Sequence, residues 1–191
     1  MAREATARAR ENVRLPAPGV WEIDPSHSSV GAVARHLVVS KVRGRFTSFT
    51  GTVTIGETPE ESGVQATIDA ASIDTAEPKR DAHLRSADFL DAETYPTLEF
   101  RSTAVEQTGP STLRVDGDLT IRGISRPVSL DVGYGGLISD PFGNAKAIFS
   151  AHTEIDREDW GMTWNAALET GGVLVGKRLQ IELEIQAVRK P

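Results

Sequence analysis

Residues 179–187 read LQIELEIQA, an unbroken alternation of apolar and polar side chains. Successive side chains of a β-strand point to opposite faces of the sheet, so this stretch predicts a strand with one apolar face and one face in water. Such a strand is typical of a β-barrel or a β-sandwich, in which the apolar face packs on the core.

The same two-residue period recurs through most of the chain upstream. Residues 113–121 and 128–134 alternate in this way, and the turn at Gly123 between them predicts a meander hairpin. Further strands are predicted at 20–24, 29–37, 42–55, 64–73, 98–105 and 145–155. The total of about eight or nine strands is near the number at which a closed barrel encloses one small ligand.

One short helix is predicted between two of these strands. Pro78 stands where a helix begins, and residues 79–86 follow without a β-branched side chain. We therefore expect an all-β fold with a short helix at 79–86, which acts as a plug or lid.

Composition limits the classes of function. The 191 residues fit one domain, and 21 basic against 27 acidic residues give a net charge of −6, which opposes binding to nucleic acid or to anionic lipid surfaces. The chain contains no cysteine, so disulfides, thiolate metal sites and a cysteine nucleophile are excluded.

The N-terminal segment differs in composition from the rest. Residues 16–19 (PAPG) separate a flexible tail, 1–18, from a barrel domain, 19–191. Residues 1–15 carry four arginines but no apolar run of the kind found in signal peptides, and no stretch of about 18 apolar residues occurs. We expect a cytoplasmic protein without an integral membrane segment.

The motifs of common catalytic and metal sites are missing or incomplete. Residues 171–177 (GGVLVGK) approach a phosphate-binding P-loop, but Arg178 replaces the required Ser or Thr and an alternating strand follows instead of a helix. No GxSxG elbow is present, and the four histidines show neither HxH nor HExxH spacing. The sequence therefore predicts no catalytic residue, no metal ligand and no cofactor.

The side chains that share the inward parity are almost all apolar, and several are small. They include Val30, Ala32, Ala34, Val53, Ile55, Val64, Ala66, Ile68, Leu113, Val115 and the apolar series of the last strand. An eight-stranded barrel with so many small inward residues has unfilled space at its centre, which favours an apolar guest. The alternative is that large residues fill the core, namely Trp21, Phe46, Phe49, Phe100, Phe149, Trp160 and Trp164.

Several separate motifs, in order along the chain, resemble the YceI family. They are 21–30 (WEIDPSHSSV), 35–46 (RHLVVSKVRGRF), 80–90 (RDAHLRSADFL), 95–100 (YPTLEF), 117–123 (GDLTIRG), 126–128 (RPV) and 140–143 (DPFG). The resemblance covers about residues 19–189. It implies an eight-stranded antiparallel lipocalin-like β-barrel whose tunnel holds an isoprenoid lipid of the quinone or polyprenyl type, without catalysis. Many members are exported, and this chain departs from them because residues 1–15 lack a signal peptide.

On this basis we expect two parts of a lipid-binding site. The lipid tail would lie against Val30, Ala32, Ala34, Phe46, Phe100 and Phe149, and the polar head near Arg80, His83 and Arg85 on the helix. His36 shares the inward parity, as a core histidine or as a polar contact in the tunnel. The alternative for Arg80, Asp81, His83 and Arg85 is purely structural, because local ion pairs can pin the helix.

The leading hypothesis is thus a non-catalytic protein that binds, sequesters or transports a long-chain isoprenoid or a similar apolar lipid. The alternatives are a metal-dependent or histidine-based enzyme with a site near His36, His83 and Asp81, and a filled barrel that serves as an interaction scaffold. Formation of a homodimer through strand edges or loops is left open.

Overall fold

The computed structural model describes residues 7–10, 13–37, 40–169 and 172–189. Its one α-helix is α1 (Pro78–Arg85), and short 3-10 helices span Pro59–Glu61, Ala70–Ser72 and Arg157–Trp160. The strands are β1 (Ala7–Arg10), β2 (Val13–Pro16), β3 (Gly19–Ile23), β4 (Ser29–His36), β5 (Ser40–Phe46), β6 (Phe49–Ile55), β7 (Gly63–Asp69), β8 (Ile73–Asp74), β9 (Thr97–Gln107), β10 (Thr112–Ile121), β11 (Ile124–Ser139), β12 (Ala145–Asp156) and β13 (Val175–Arg189).

Strands β3 to β13 form one closed antiparallel barrel. Segments β3 and β4 both pair with β13, at 187–189 and at 175–184, so they are successive parts of one barrel strand. Segments β5 and β6 are likewise successive parts of a second barrel strand, and β7 and β8 are parts of a third. The eight strands follow chain order, and the pairing of β12 with β13 closes the ring. The predicted eight-stranded barrel with one short helix is confirmed, with the helix one residue earlier than expected.

A tight turn joins β10 to β11 as the sequence predicted. Ile121 pairs with Ile124, and both residues between them, Arg122 and Gly123, have positive φ angles of 53° and 69°. Two consecutive positive φ angles define the type I′ turn, whose twist matches that of the flanking strands. A Cβ atom at Gly123 would also lie 2.9 Å from Cε1 of Tyr95, so glycine is required here for space as well.

The barrel has two different ends. Helix α1 lies at the upper end, together with the last residues of β4 and β12, and the 3-10 helix Pro59–Glu61 lies at the lower end. Near the lower end Trp21 is fully buried against Tyr134, Ala147 and Ala187, and its Nε1 donates to the carbonyl oxygen of Ala17 at 3.0 Å. The indole is therefore part of the packed core near this end of the barrel.

Of the large side chains proposed to fill the core, two behave as simple core residues. Trp21 and Trp160 are 0% and 2% exposed, and Nε1 of Trp160 donates to the carbonyl oxygen of Leu119 at 3.0 Å. The other five, namely Phe46, Phe49, Phe100, Phe149 and Trp164, border internal cavities. The interior is therefore only partly filled by aromatic rings.

Two further observations concern the N-terminal segment and the length of the helices. Strands β1 and β2 pair with each other, and Pro16 and Ala17 are buried. Within the described residues, no helix is both long enough and apolar enough to span a membrane.

Candidate functional site

A central cavity of about 240 Å³ lies inside the barrel. Its walls come from all eight barrel strands, and within the described part of the chain only Ser62 and Thr153 contribute polar side chains to it. The predicted tail residues Val30, Ala32, Phe46, Phe100 and Phe149 all line this cavity. The parity of the strands thus places these five side chains together around one apolar space.

Small residues leave the cavity open. Ala32, Ala66 and Ala151 line it where longer side chains would project into the space. Gly117 has a related effect, because a Cβ atom there would stand 2.5 Å from Cζ of Phe100. The ring of Phe100 therefore lies against the β10 backbone, and the centre of the barrel stays free.

A second cavity, the upper chamber, has a volume of about 500 Å³ and lies under helix α1. It shares wall residues with the central cavity, namely Ala32, Phe46, Leu98, Ile121, Ile155 and Ile181, so the two spaces adjoin. The predicted residues Ala34, His36, Arg80 and His83 line this chamber. Arg85 does not.

A lower chamber of about 100 Å³ adjoins the opposite end of the central cavity. Ile55, Ser62, Leu113 and Phe149 line both spaces, and the rings of Tyr134 and Phe149 pack with centroids 5.4 Å apart at this end. The three spaces form one series along the barrel axis. A long, narrow molecule is the shape that such a series accommodates.

The basic residues of α1 serve mainly to fix the helix. Arg80 donates from Nε and Nη2 to Oγ1 and the carbonyl oxygen of Thr75, at 2.7 and 2.9 Å. Arg85 donates to the carbonyl oxygens of Ala71 and Ile73 at 2.7 and 2.9 Å. Asp81 is buried and accepts from the backbone N–H of Thr75 at 2.9 Å. The structural alternative for these three residues is therefore well supported, through hydrogen bonds rather than ion pairs.

His83 has a different environment. Its Nε2 lies 2.9 Å from Oδ2 of Asp88, and its ring makes edge-to-face contacts with Trp164 and Phe89, at centroid distances of 4.5 and 5.0 Å. All three rings border the upper chamber. Trp164 was expected at most as one of the residues of a filled core, and Phe89 was not predicted as a site residue, so the aromatic part of this wall became apparent only in the structure.

Arg157 was not predicted as a site residue, yet it lines the upper chamber although only 1% of its surface is exposed. Its Nε donates to the carbonyl oxygen of Gly176 at 3.0 Å, its Nη1 donates to that of Met162, and its Cζ lies 5.9 Å from the centre of the Phe89 ring. Burial lowers the pKa of Arg157, against the opposing charges of Glu158 and Asp156. An arginine side chain nevertheless stays protonated at neutral pH.

A polar cluster lies away from the cavities, within the first motif that resembles the YceI family. Lys146 is buried and donates from Nζ to Oδ2 of Asp24 at 3.0 Å, and Nδ1 of His27 lies 2.7 Å from the same oxygen. Burial raises the pKa of Asp24, but the hydrogen bonds from Lys146, His27 and the N–H of Ser26 outweigh it and lower the pKa overall. The cluster ties the loop between β3 and β4 to β12.

The residues of the alternative enzyme hypothesis do not assemble as a metal site. The carboxylate of Asp81 is directed to Thr75, while His83 contacts Asp88. Across the described ranges, no three histidine or acidic side chains lie close enough together to hold a metal ion.

Comparisons with known proteins agree with this architecture. The model of the YceI-like domain family matches residues 21–187. A UPF0312 protein of Staphylococcus aureus (strain N315) is 36% identical over 165 residues, which cover 85% of this chain and 93% of that protein. The crystal structure of Burkholderia cenocepacia BcnA has a TM-score of 0.76 at 25% identity, over 86% of this chain and 98% of BcnA.

A further solved structure shares the fold at lower identity. It is a polyisoprenoid binding domain from Saccharophagus degradans implicated in plant cell wall breakdown, with a TM-score of 0.69 at 14% identity, covering 89% of this chain and 98% of that domain. Because the family match extends from the first barrel strand to the last, this chain belongs to the YceI-like domain family.

Proposed function

We propose that this barrel binds one long-chain apolar lipid of the isoprenoid type, and that it sequesters or transports the lipid without changing it. The observation that carries the proposal is the wall of the central cavity, in which every side chain of the described residues except Ser62 and Thr153 is apolar. An apolar space of this kind is suited to a hydrocarbon chain, because each buried CH₂ group contributes about 0.8 kcal/mol.

The two ends of the cavity series differ, which gives the lipid an orientation. In this proposal the tail contacts Val30, Ala32, Phe46, Phe100 and Phe149 in the central cavity. Ala34 lies at the junction with the polar head, which occupies the upper chamber beside His36, Arg80 and His83. Arg85 contributes indirectly, since it holds α1 over the chamber.

The domain from Saccharophagus degradans that shares this fold is a polyisoprenoid binding domain, which supports the lipid class. An isoprenoid chain is long and narrow, which suits three adjoining spaces in one barrel. A purely structural barrel would have no need for so much unfilled volume, because protein interiors normally pack as densely as organic crystals.

Native mass spectrometry of freshly purified protein tests the proposal directly. The same sample is then denatured and extracted with organic solvent to identify the released lipid. Delipidated protein is next incubated with a menaquinone or a polyprenol, and with a sterol as a matched control for unspecific adsorption. We expect a one-to-one complex with the linear lipids and none with the rigid, wide sterol.

The outcomes separate the alternatives. A protein that is isolated without lipid and takes up none of the linear lipids would contradict the proposal and favour the scaffold hypothesis. Uptake of the sterol to the same extent would show that the barrel does not select narrow chains. A chemically altered lipid after incubation would favour the enzyme hypothesis instead.

A further inference from the structure

The guanidinium of Arg157 has one nitrogen whose hydrogen-bonding capacity is unused. Nε and Nη1 donate to the carbonyl oxygens of Gly176 and Met162, but Nη2 is buried and meets no acceptor among the described residues. A buried donor without a partner is destabilising, and more so when it is charged. Because Arg157 lines the upper chamber, this nitrogen is a candidate donor to a ligand bound there.

The same hydrogen bonds hold the guanidinium in place. Gly176 lies on β13 and Met162 follows the 3-10 helix Arg157–Trp160, so two separate elements fix the plane of the group. The Phe89 ring faces the guanidinium carbon at 5.9 Å. The free edge of the guanidinium is therefore preorganised, and binding of a ligand oxygen requires little further ordering of this side chain.

The charges around the upper chamber specify the sign of the ligand group. Arg35, Lys79, Arg80 and Arg157 border the chamber, against one carboxylate, that of Glu77. This carboxylate is engaged by the first N–H groups of α1, those of Lys79 and Arg80. An excess of positive charge in a confined space favours an anion over a neutral head group.

We propose that Arg157 is the head-group anchor of the upper chamber, where its Nη2 donates to an oxyanion at one end of the bound lipid. The class of ligand is thus an amphiphile with a long apolar tail and a carboxylate or phosphate head. This inference rests on the lipid-binding function proposed above and adds the identity of the head group and of the residue that selects it.

Pairs of ligands with one tail and two heads test the proposal. Hexadecanoic acid is compared with hexadecanol, and farnesyl phosphate with farnesol, by isothermal titration of delipidated protein. Because a charge-assisted hydrogen bond is about twice as strong as a neutral one, we expect the wild type to prefer each anion by roughly 10- to 100-fold. The two pairs distinguish a carboxylate from a phosphate as the preferred oxyanion.

Substitution of Arg157 shows whether this residue causes the preference. In Arg157→Gln the preference should fall to within about threefold, while the affinity for the alcohols stays as in the wild type, because only the anion uses the charge. If Arg157→Gln does not fold, Arg157→Lys retains the charge and should give an intermediate preference. Arg101→Gln is the matched control, because Arg101 is exposed on β9 and lines none of the three spaces, and it should change the preference by less than about threefold.

Each result decides the question. Equal affinities of wild type for acid and alcohol overturn the oxyanion inference and leave lipid binding intact. An anion preference that persists in Arg157→Gln overturns the assignment to Arg157. If none of the four ligands binds although the polyprenol does, the oxyanion inference is overturned. If the polyprenol does not bind either, the lipid-binding function itself is refuted, a result distinct from the others.

Discussion

The substitution Ala66→Phe tests most directly whether a lipid tail occupies the central cavity. Ala66 lies in β7 and faces the cavity, between Gly51 and Phe100 on the neighbouring strands. A phenyl ring at this position enters the space of about 240 Å³ that we assign to the tail. The neighbouring Thr67 points out of the barrel and is exposed, so Thr67→Phe is the matched control.

The expected effect follows from the carbon atoms that the ring displaces. Phenylalanine adds about six carbons to the cavity, and exclusion of the same number of tail carbons at about 0.8 kcal/mol each sets an upper limit of about 5 kcal/mol. The tail recovers part of this loss by shifting along the tunnel. We therefore expect the affinity to fall by about 2–4 kcal/mol, or roughly 30- to 1000-fold.

Stability should respond in the opposite sense. The ring fills empty space in the lipid-free protein. The unfolding free energy of lipid-free Ala66→Phe should therefore equal that of the wild type or be up to about 1 kcal/mol higher. The assay is titration with a polyprenol, combined with urea denaturation of the delipidated variants. Thr67→Phe should match the wild type in both measurements.

Two results would refute the reasoning. Unchanged lipid affinity of Ala66→Phe would show that the tail lies elsewhere. A loss of more than about 3 kcal/mol in stability would show that the interior is already packed, as the scaffold alternative requires.

Three further predictions concern the turn, the polar cluster and the segment after α1. Gly123→Ala should lower the unfolding free energy, measured by urea denaturation, by about 2–4 kcal/mol, because the new Cβ atom is strained at this positive φ and also contacts Tyr95. The control is Gly143→Ala, which has a positive φ but open space around it, and it should cost only about 1–2 kcal/mol. Asp24→Asn should be less stable than the wild type at pH 7, and the difference should shrink at acidic pH, where Asp24 becomes protonated. The pKa of Asp24 is lower in the folded than in the unfolded state, so the stabilisation by its carboxylate is present above the unfolded-state pKa and is lost as the pH falls through the folded-state pKa. An equal difference in stability at neutral and at acidic pH would contradict this. Arg122 donates to the carbonyl oxygens of Ala87 and Phe89 and so holds the segment after α1. Arg122→Gln should therefore accelerate both hydrogen exchange in residues 86–95 and lipid release. Unchanged exchange would show that Arg122 does not hold this segment.

Period-two alternation predicted the barrel well because a strand buries alternate side chains whatever its neighbours are. The type I′ turn at Gly123 was equally accessible, since its conformation depends on two residues only. The inward parity of β4 also placed Val30 and Ala32 at the cavity. Local rules were sufficient for these features.

The upper chamber depends on contacts that the sequence does not display. Arg80 and Arg85 carry the positive charge expected of residues that bind a lipid head group. Both nevertheless donate to backbone carbonyl oxygens of the segment that the fold brings next to α1. Sequence reasoning has no means of locating those carbonyl oxygens. Arg157 was missed for another reason, because it follows the end of β12 as the first residue of a 3-10 helix, where the alternation of a strand predicts nothing.

Alternate side chains of β12, those of Ala151, Thr153 and Ile155, face the interior of the barrel. Two residues after Ile155, beyond the end of the strand, Arg157 also faces the interior. An inward charge at the end of such a series is costly unless something pairs with it, and here the protein itself satisfies only part of the guanidinium. The central cavity below it is almost wholly apolar, so an anionic group has no stable position deeper in the barrel. In the proposed complex, a lipid that enters tail first reaches both environments at once, with its head at Arg157. The reverse orientation would bury the head in hydrocarbon and leave the cationic chamber unpaired, so the distribution of charge along the barrel axis favours the first orientation in this proposal.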